Sequence, residues 1–287
     1  MRTLGQLLVS SRPLSWINTA FPFGAAYLLT TGRLDLAFWV GTIFFLIPYN
    51  LAMYGINDVF DYESDLRNPR KGGVEGALLD PRIHRTTLIA AAVSCAPFLV
   101  VLVALGGPLS WLVLAISMFA VVAYSAKGLR FKEKPFLDSL TSSTHFVSPA
   151  VYGLVLAGAE FTPQLWLILA AFFLWGIASH AFGAVQDVIA DREGGIASIA
   201  TVIGARTTVR FAVVSYVLAG LLLLGTDWPG PLAALAAVPY AVSTAQWWNV
   251  SDEDAESANR GWKRFLWLNF LAGAVVTILL IVWALDR

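Results

Sequence analysis

Long, uninterrupted apolar runs constrain this chain more than any other feature. Nine of them, each of roughly 17 to 24 residues, fall at about 14–31, 36–57, 87–106, 109–126, 141–159, 163–186, 209–226, 230–249 and 265–285. Coiled into helices, runs of this length cross about 30 Å of hydrocarbon. The residues are 57% hydrophobic and only 13% charged, against about 25% charged in a soluble domain. The runs are continuous rather than alternating, which argues against a transmembrane barrel. Nine all-apolar faces in succession do not suit soluble helices either. The sequence predicts an all-α polytopic membrane protein, with nine transmembrane helices forming one domain over 1–287.

Charge placement sets the orientation. If the N-terminus is cytoplasmic and the spans alternate, seventeen of the nineteen Lys and Arg residues face the cytoplasm, leaving only Arg33 and Arg287 on the other side. By the positive-inside rule this is N-in, C-out, expected in the cell membrane, with no cleavable signal peptide and no nucleic-acid partner. The long charged connections, roughly 58–86, 127–140 and 187–208, then share the cytoplasmic face. A fourth, SDEDAESANRGWKR, reads as a solvated loop leading into an interfacial anchor of Trp262, Lys263 and Arg264. The lone Cys95 excludes an intramolecular disulfide and reads as packed.

Two acidic motifs stand at the ends of apolar runs. NDVFDYESD begins at Asn57, and QDVIADREGG begins at Gln186. Residues three and four apart share a helix face, so Asn57, Asp58, Asp61 and Asp65 form one oxygen-rich stripe if the second span continues through them. Tyr54 lies one turn earlier, and Glu63 points off the stripe. Asp187 and Asp191 repeat the spacing of four; Glu193 is ambiguous. Carboxylates clustered without adjacent bases repel one another unless cations intervene. Mg²⁺, which takes oxygen ligands completed by phosphates and water, suits them. The pairing of Asn57-Asp58 with Gln186-Asp187 suggests an internal repeat.

Between the motifs lies YSAKGLRFKEKPFLDS, Tyr124 to Ser139. Arg130 and Lys132 can grip a diphosphate, with Lys127 assisting, because arginine offers a fork and lysine a mobile point charge. Arg67, Arg70 and Lys71, beside Gly72 and Gly73, can close over the phosphates, and Gly194-Gly195 supplies a similar turn. His84 reads as loop surface. His145, His180, Asn18 and Asn50 suit a cavity or helix–helix bonding equally.

These motifs resemble those of the UbiA-type intramembrane prenyltransferases over essentially the whole chain. Asn57, Asp58, Asp61 and Asp65 match the family's N-D-x-x-D-x-x-x-D element, and Asp187 and Asp191 match its D-x-x-x-D element. Tyr124, Ser125, Arg130, Lys132 and Pro135 match the pattern between them. The resemblance implies nine helices around a central cavity open to lipid, and Mg²⁺-dependent transfer of a prenyl group from an isoprenoid diphosphate. It casts Asn57, Asp58, Asp61, Asp65, Asp187 and Asp191 as catalytic, the five aspartates as Mg²⁺ ligands, and Arg67, Lys71, Tyr124, Lys127, Arg130 and Lys132 as diphosphate-binding. Some branches carry an acid where this chain has Gly195, which speaks against a 4-hydroxybenzoate-type acceptor.

RNPRKGGVEGALLD and ADREGGIASIATVIG are similar to the loops of the lycopene elongase branch. That likeness implies C5 transfer from dimethylallyl diphosphate to both ends of lycopene, a lipophilic acceptor reached through the bilayer, and association with other carotenoid-pathway enzymes. Quinone-precursor and tetrapyrrole prenylation are the alternatives. An ion-coupled transporter would place its acids near mid-membrane, at broken helices; these lie at the rim.

Overall fold

Proline and glycine decide where the helices of this chain start, break and touch. A computed structural model describes residues 3–66 and 78–286, and every regular element among the described residues is helical. The chain divides into two compact units, Met1–Phe131 with Thr144–Ala159, and Lys132–Ser143 with Glu160–Arg287.

The first unit holds α1 (Thr3–Ser10), α2 (Ile17–Thr31), α3 (Leu36–Leu46), α4 (Pro48–Phe60), α5 (Tyr62–Asp65), α6 (His84–Leu105), α7 (Pro108–Ser125) and most of α8 (Leu137–Leu156). Pro48 has no N–H to continue the ladder, so α3 and α4 part at Ile47. The Asn50 amide donates to the carbonyls of Phe45 and Leu46, at 2.8 and 3.1 Å, and to the Thr19 hydroxyl at 2.7 Å. In hydrocarbon such groups must be satisfied internally, so Asn50 is a structural bond.

Around it lies an aromatic core. The rings of Phe23 and Phe45 are 5.3 Å apart, those of Phe45 and Tyr49 5.1 Å, and those of Phe23 and Tyr152 5.9 Å. Gly41 admits Phe23: a Cβ there would come within 2.0 Å of the ring. Cys95 is buried and donates its thiol to the Pro48 carbonyl at 3.4 Å, as the packed reading expects.

The second unit holds α9 (Pro163–Val185), α10 (Val188–Glu193), α11 (Ile199–Ile203), α12 (Ala205–Leu224), α13 (Ala237–Ala245) and α14 (Asn259–Leu285). Helix α9 packs most extensively on α12, over a core that includes Phe182, Tyr216, Tyr240 and Trp247. Gly261 lets α14 meet that core, since a Cβ there would lie 2.5 Å from Trp247 and 2.7 Å from Phe182. The buried phenols find partners: Tyr216 pairs with Ser179 at 3.0 Å, and Tyr240 donates to Asn269 at 2.8 Å.

Among the described residues, six helical segments are long and apolar enough to cross a membrane: Leu36–Phe60, Pro81–Leu105, Pro108–Ser125, Pro163–Val185, Ala205–Leu224 and Ala255–Leu285. The protein is an integral membrane protein. The other three expected runs form helices that are shorter or more polar. Helix α2 has 15 residues, because the Pro13–Ser15 turn precedes it. Helix α8 has 20, but its first half is polar, from Asp138 to Ser148. The 230–249 run divides into a 3-10 segment, Gly230–Ala236, and the 9-residue α13.

Candidate active site

The first acidic stripe survives a break in its helix. Helix α4 stops at Asp61, whose φ of −100° and ψ of −1° lie in the bridge region, and α5 resumes at Tyr62. The Asp61 amide still donates to the Asn57 carbonyl at 2.9 Å, and that of Asp65 to the Asp61 carbonyl at 2.8 Å. The spacing of four therefore keeps Asn57, Asp61 and Asp65 in register. Asp58, Asp61 and Asp65 are buried, and Glu63 is exposed, as the spacing requires. The Asn57 amide donates to Asp61 at 2.6 Å and to the Ser125 hydroxyl at 2.9 Å, tying the motif to the end of α7.

Two arginines supply positive charge. Arg12 donates to Asp58 Oδ1 at 3.0 Å and lies 4.1 Å from the centre of the Tyr54 ring, while Ser10 donates to Asp58 Oδ2 at 2.8 Å. Arg130 approaches Asp61 at 3.8 Å and the Phe60 carbonyl at 3.4 Å. Both arginines hold left-handed backbones, with φ of 51° at Arg12 and 42° at Arg130. Non-glycine residues seldom adopt that region, and strain of this kind clusters at functional sites. Motif spacing does not pick out Ser10 or Arg12. The available signal is the polar run Ser10-Ser11-Arg12 between an apolar helix and the first span.

The second motif repeats the break. Asp187 follows α9 with φ of −99° and ψ of −1°, matching Asp61. The Asp191 amide donates to the Asp187 carbonyl at 2.8 Å. Backbone geometry thus pairs Asp61 and Asp65 with Asp187 and Asp191. This shifts the repeat from the expected pairing of Asn57-Asp58 with Gln186-Asp187.

Helix α10 closes in a Schellman turn, with Gly195 donating to the Arg192 carbonyl at 3.2 Å and Ile196 to the Asp191 carbonyl at 2.8 Å. Gly195 takes φ of 69°, the left-handed position such a turn needs. Beyond it, buried Asp138 accepts the Ile199 N–H at 2.7 Å and that of Ser139 at 2.6 Å. His180 Nε2 lies 3.9 Å from Asp138 Oδ2.

Tyr124 meets His145 edge to face at 5.3 Å. Lys127 is exposed and Lys132 half-buried. His84 is not loop surface: it opens α6, meets Tyr62 edge to face at 5.0 Å and lies 3.3 Å from the Leu79 carbonyl. Arg67, Arg70, Lys71, Gly72 and Gly73 lie outside the described residues.

Among the described residues, no three His, Cys, Asp or Glu side chains form a ready-made metal cage. Mg²⁺ seldom needs one, since it is usually held by one or two carboxylates together with substrate phosphates. The pairs Asp61 with Asp65, and Asp187 with Asp191, fit that donor set. Asp58 differs, because Arg12 and Ser10 each engage one of its oxygens.

Known proteins resemble this chain over most of its length. The profile of the UbiA prenyltransferase family matches residues 19–271. The lycopene elongase/hydratase of Corynebacterium glutamicum is 57% identical over 281 residues, covering 98% of each chain. The C(50) beta-cyclic carotenoids biosynthesis protein LbtBC of Dietzia sp. is 61% identical over 282 residues, 98% of this chain and 65% of its own length. A UbiA homolog from Archaeoglobus fulgidus, solved with DMAPP and Mg²⁺, shares the fold with a TM-score of 0.66 at 18% identity, covering 94% of this chain and 99% of that one. The chain belongs to the UbiA prenyltransferase family and is a prenyltransferase of UbiA fold.

Proposed function

We propose that this protein transfers C5 prenyl groups from dimethylallyl diphosphate to the two ends of lycopene, giving C45 and then C50 carotenoids. The observation that carries this reading is the near-full-length likeness to a lycopene elongase/hydratase. The glycine turn at Gly195 supports it, because it leaves no acid there for an aromatic-acid acceptor.

Asp61, Asp65, Asp187 and Asp191 would hold Mg²⁺. Bound Mg²⁺ neutralises the diphosphate and makes it a better leaving group. Asn57 orients Asp61, and Arg12 pairs with Asp58 within the stripe. Arg130 and Lys132 bind diphosphate oxygens, and Tyr124, Lys127, Arg67 and Lys71 are the further diphosphate-binding residues of this reading. Cleavage of the allylic C–O bond leaves a C5 cation, which the terminal C=C of lycopene attacks. The resulting tertiary cation takes up water and releases one of its protons to the departed diphosphate or solvent, leaving an alcohol, as the relatives' shared name suggests. In the cell membrane the chain runs N-in, C-out with nine spans, its active-site loops in the cytoplasm alongside other carotenoid-forming enzymes.

A side-by-side acceptor assay tests this reading. Membranes containing the protein receive dimethylallyl diphosphate with either lycopene or an aromatic quinone precursor. The expected products are C45 and C50 carotenoids, and their mass distinguishes water uptake from proton loss. Prenylation of the quinone precursor alone contradicts the carotenoid reading and leaves the family standing.

A further inference from the structure

The segment Ser251–Arg264 is not the uniformly solvated loop that its charges suggest. Ala255 and Ala258 are fully packed, and the segment returns to the second acidic motif at two points. Asp252 Oδ2 forms an ion pair with Arg192 at 2.7 Å, while its other oxygen accepts the Ala205 N–H at 2.7 Å. Arg192 also donates to the Thr201 carbonyl at 2.9 Å. Asn259 donates its amide to Gln186 at 2.5 Å.

Gln186 immediately precedes Asp187, and Arg192 immediately follows Asp191. Both ends of the motif are therefore tied to one later segment. The motif needs such ties. Asp187 sits at a helix break, where α9 no longer dictates its direction, and α10 has only six residues. A helix that short is marginal without outside contacts.

We propose that Asp252 and Asn259 are positioning residues for the second acidic motif, holding it from both ends through Arg192 and Gln186. This rests on the reading that Asp187 and Asp191 bind the metal–diphosphate. Groups that orient metal ligands from behind set affinity as well as rate.

The test is a Mn²⁺ titration of the full-length protein in detergent micelles, with inorganic diphosphate present and bound metal read by electron paramagnetic resonance. Asp252→Asn and Asn259→Ala are each expected to weaken Mn²⁺ binding about tenfold. They should raise KM for dimethylallyl diphosphate while kcat at saturating metal is retained. Asp252→Glu should restore affinity by keeping the charge. Unchanged Mn²⁺ affinity in folded Asp252→Asn protein overturns the proposal. Should that variant not fold, Arg192→Gln, which removes the charge, replaces it, and unchanged affinity there is equally fatal. Asp187→Asn separates the two claims. If it too leaves Mn²⁺ affinity intact, the site reading fails; if it alone weakens binding, only the positioning role fails.

Discussion

The Arg12 guanidinium lies 3.0 Å from Asp58, a residue 46 positions away and almost wholly buried. A chain entry that spacing rules leave unremarked thus supplies the counter-charge of the first acidic motif. Removing one partner of a buried ion pair strands the other, at a cost of about 3 kcal/mol or more. Arg12→Ala should therefore lower the melting temperature of the purified protein sharply. Arg12→Lys should do so less, since it keeps the charge but loses the fork. Equal stability of Arg12→Ala and wild type contradicts this role.

Gly41 should tolerate no side chain. Its missing Cβ is occupied by the ring of Phe23, which is completely buried and cannot swing aside. Overpacking of this kind costs about 3 kcal/mol. Gly41→Ala is expected to reduce the yield and melting temperature of folded protein. Gly107→Ala, which meets nothing within 4 Å, should leave both unchanged.

The left-handed turn at Gly195 makes a second backbone prediction. Replacing Gly195 with Glu forces an L side chain into a conformation costing roughly 1–2 kcal/mol. The turn fixes the Asp191 carbonyl, so the variant should lose apparent affinity for divalent metal as well as stability. A metal titration of turnover checks this.

Asp252 predicts an acid limit. Burial works against its carboxylate, but the Ala205 N–H and the Arg192 guanidinium outweigh burial and hold its pKa below the ordinary range. A depressed folded pKa contributes stability above the unfolded value, near 3.9. That contribution disappears as pH falls through the folded value. The pair should thus stay intact from pH 8 to about pH 5 and fail only below about pH 4. Asp252→Asn should remove this step from an acid-unfolding curve.

Much of this architecture was legible because lipid leaves few alternatives. Of the nine runs that apolar length marked, six are among the described helices long and apolar enough to cross a membrane, and the period of 3.6 placed Asn57, Asp61 and Asp65 in one register with Glu63 outside it. Less was legible wherever a long-range partner decides a residue's role. Arg12 and Ser10 reach Asp58 through a left-handed turn that no local pattern announces. Asp252 looks like one of four acids in a solvated loop until the fold brings Arg192 to it. The helix breaks at Asp61 and Asp187 depend on backbone angles, which spacing alone does not encode.

The central claim is that the acidic motifs bind a metal–diphosphate for prenyl transfer to a carotenoid. Its most direct test follows radiolabel from dimethylallyl diphosphate into lycopene in membranes, comparing wild type with Asp61→Asn and Asp187→Asn, with and without chelator. The account predicts label in C45 and C50 products from wild type with Mg²⁺. It predicts a loss of at least about a hundredfold in either variant, each still folded, and under full chelation. Undiminished transfer by both folded variants, or by wild type stripped of divalent metal, would contradict it.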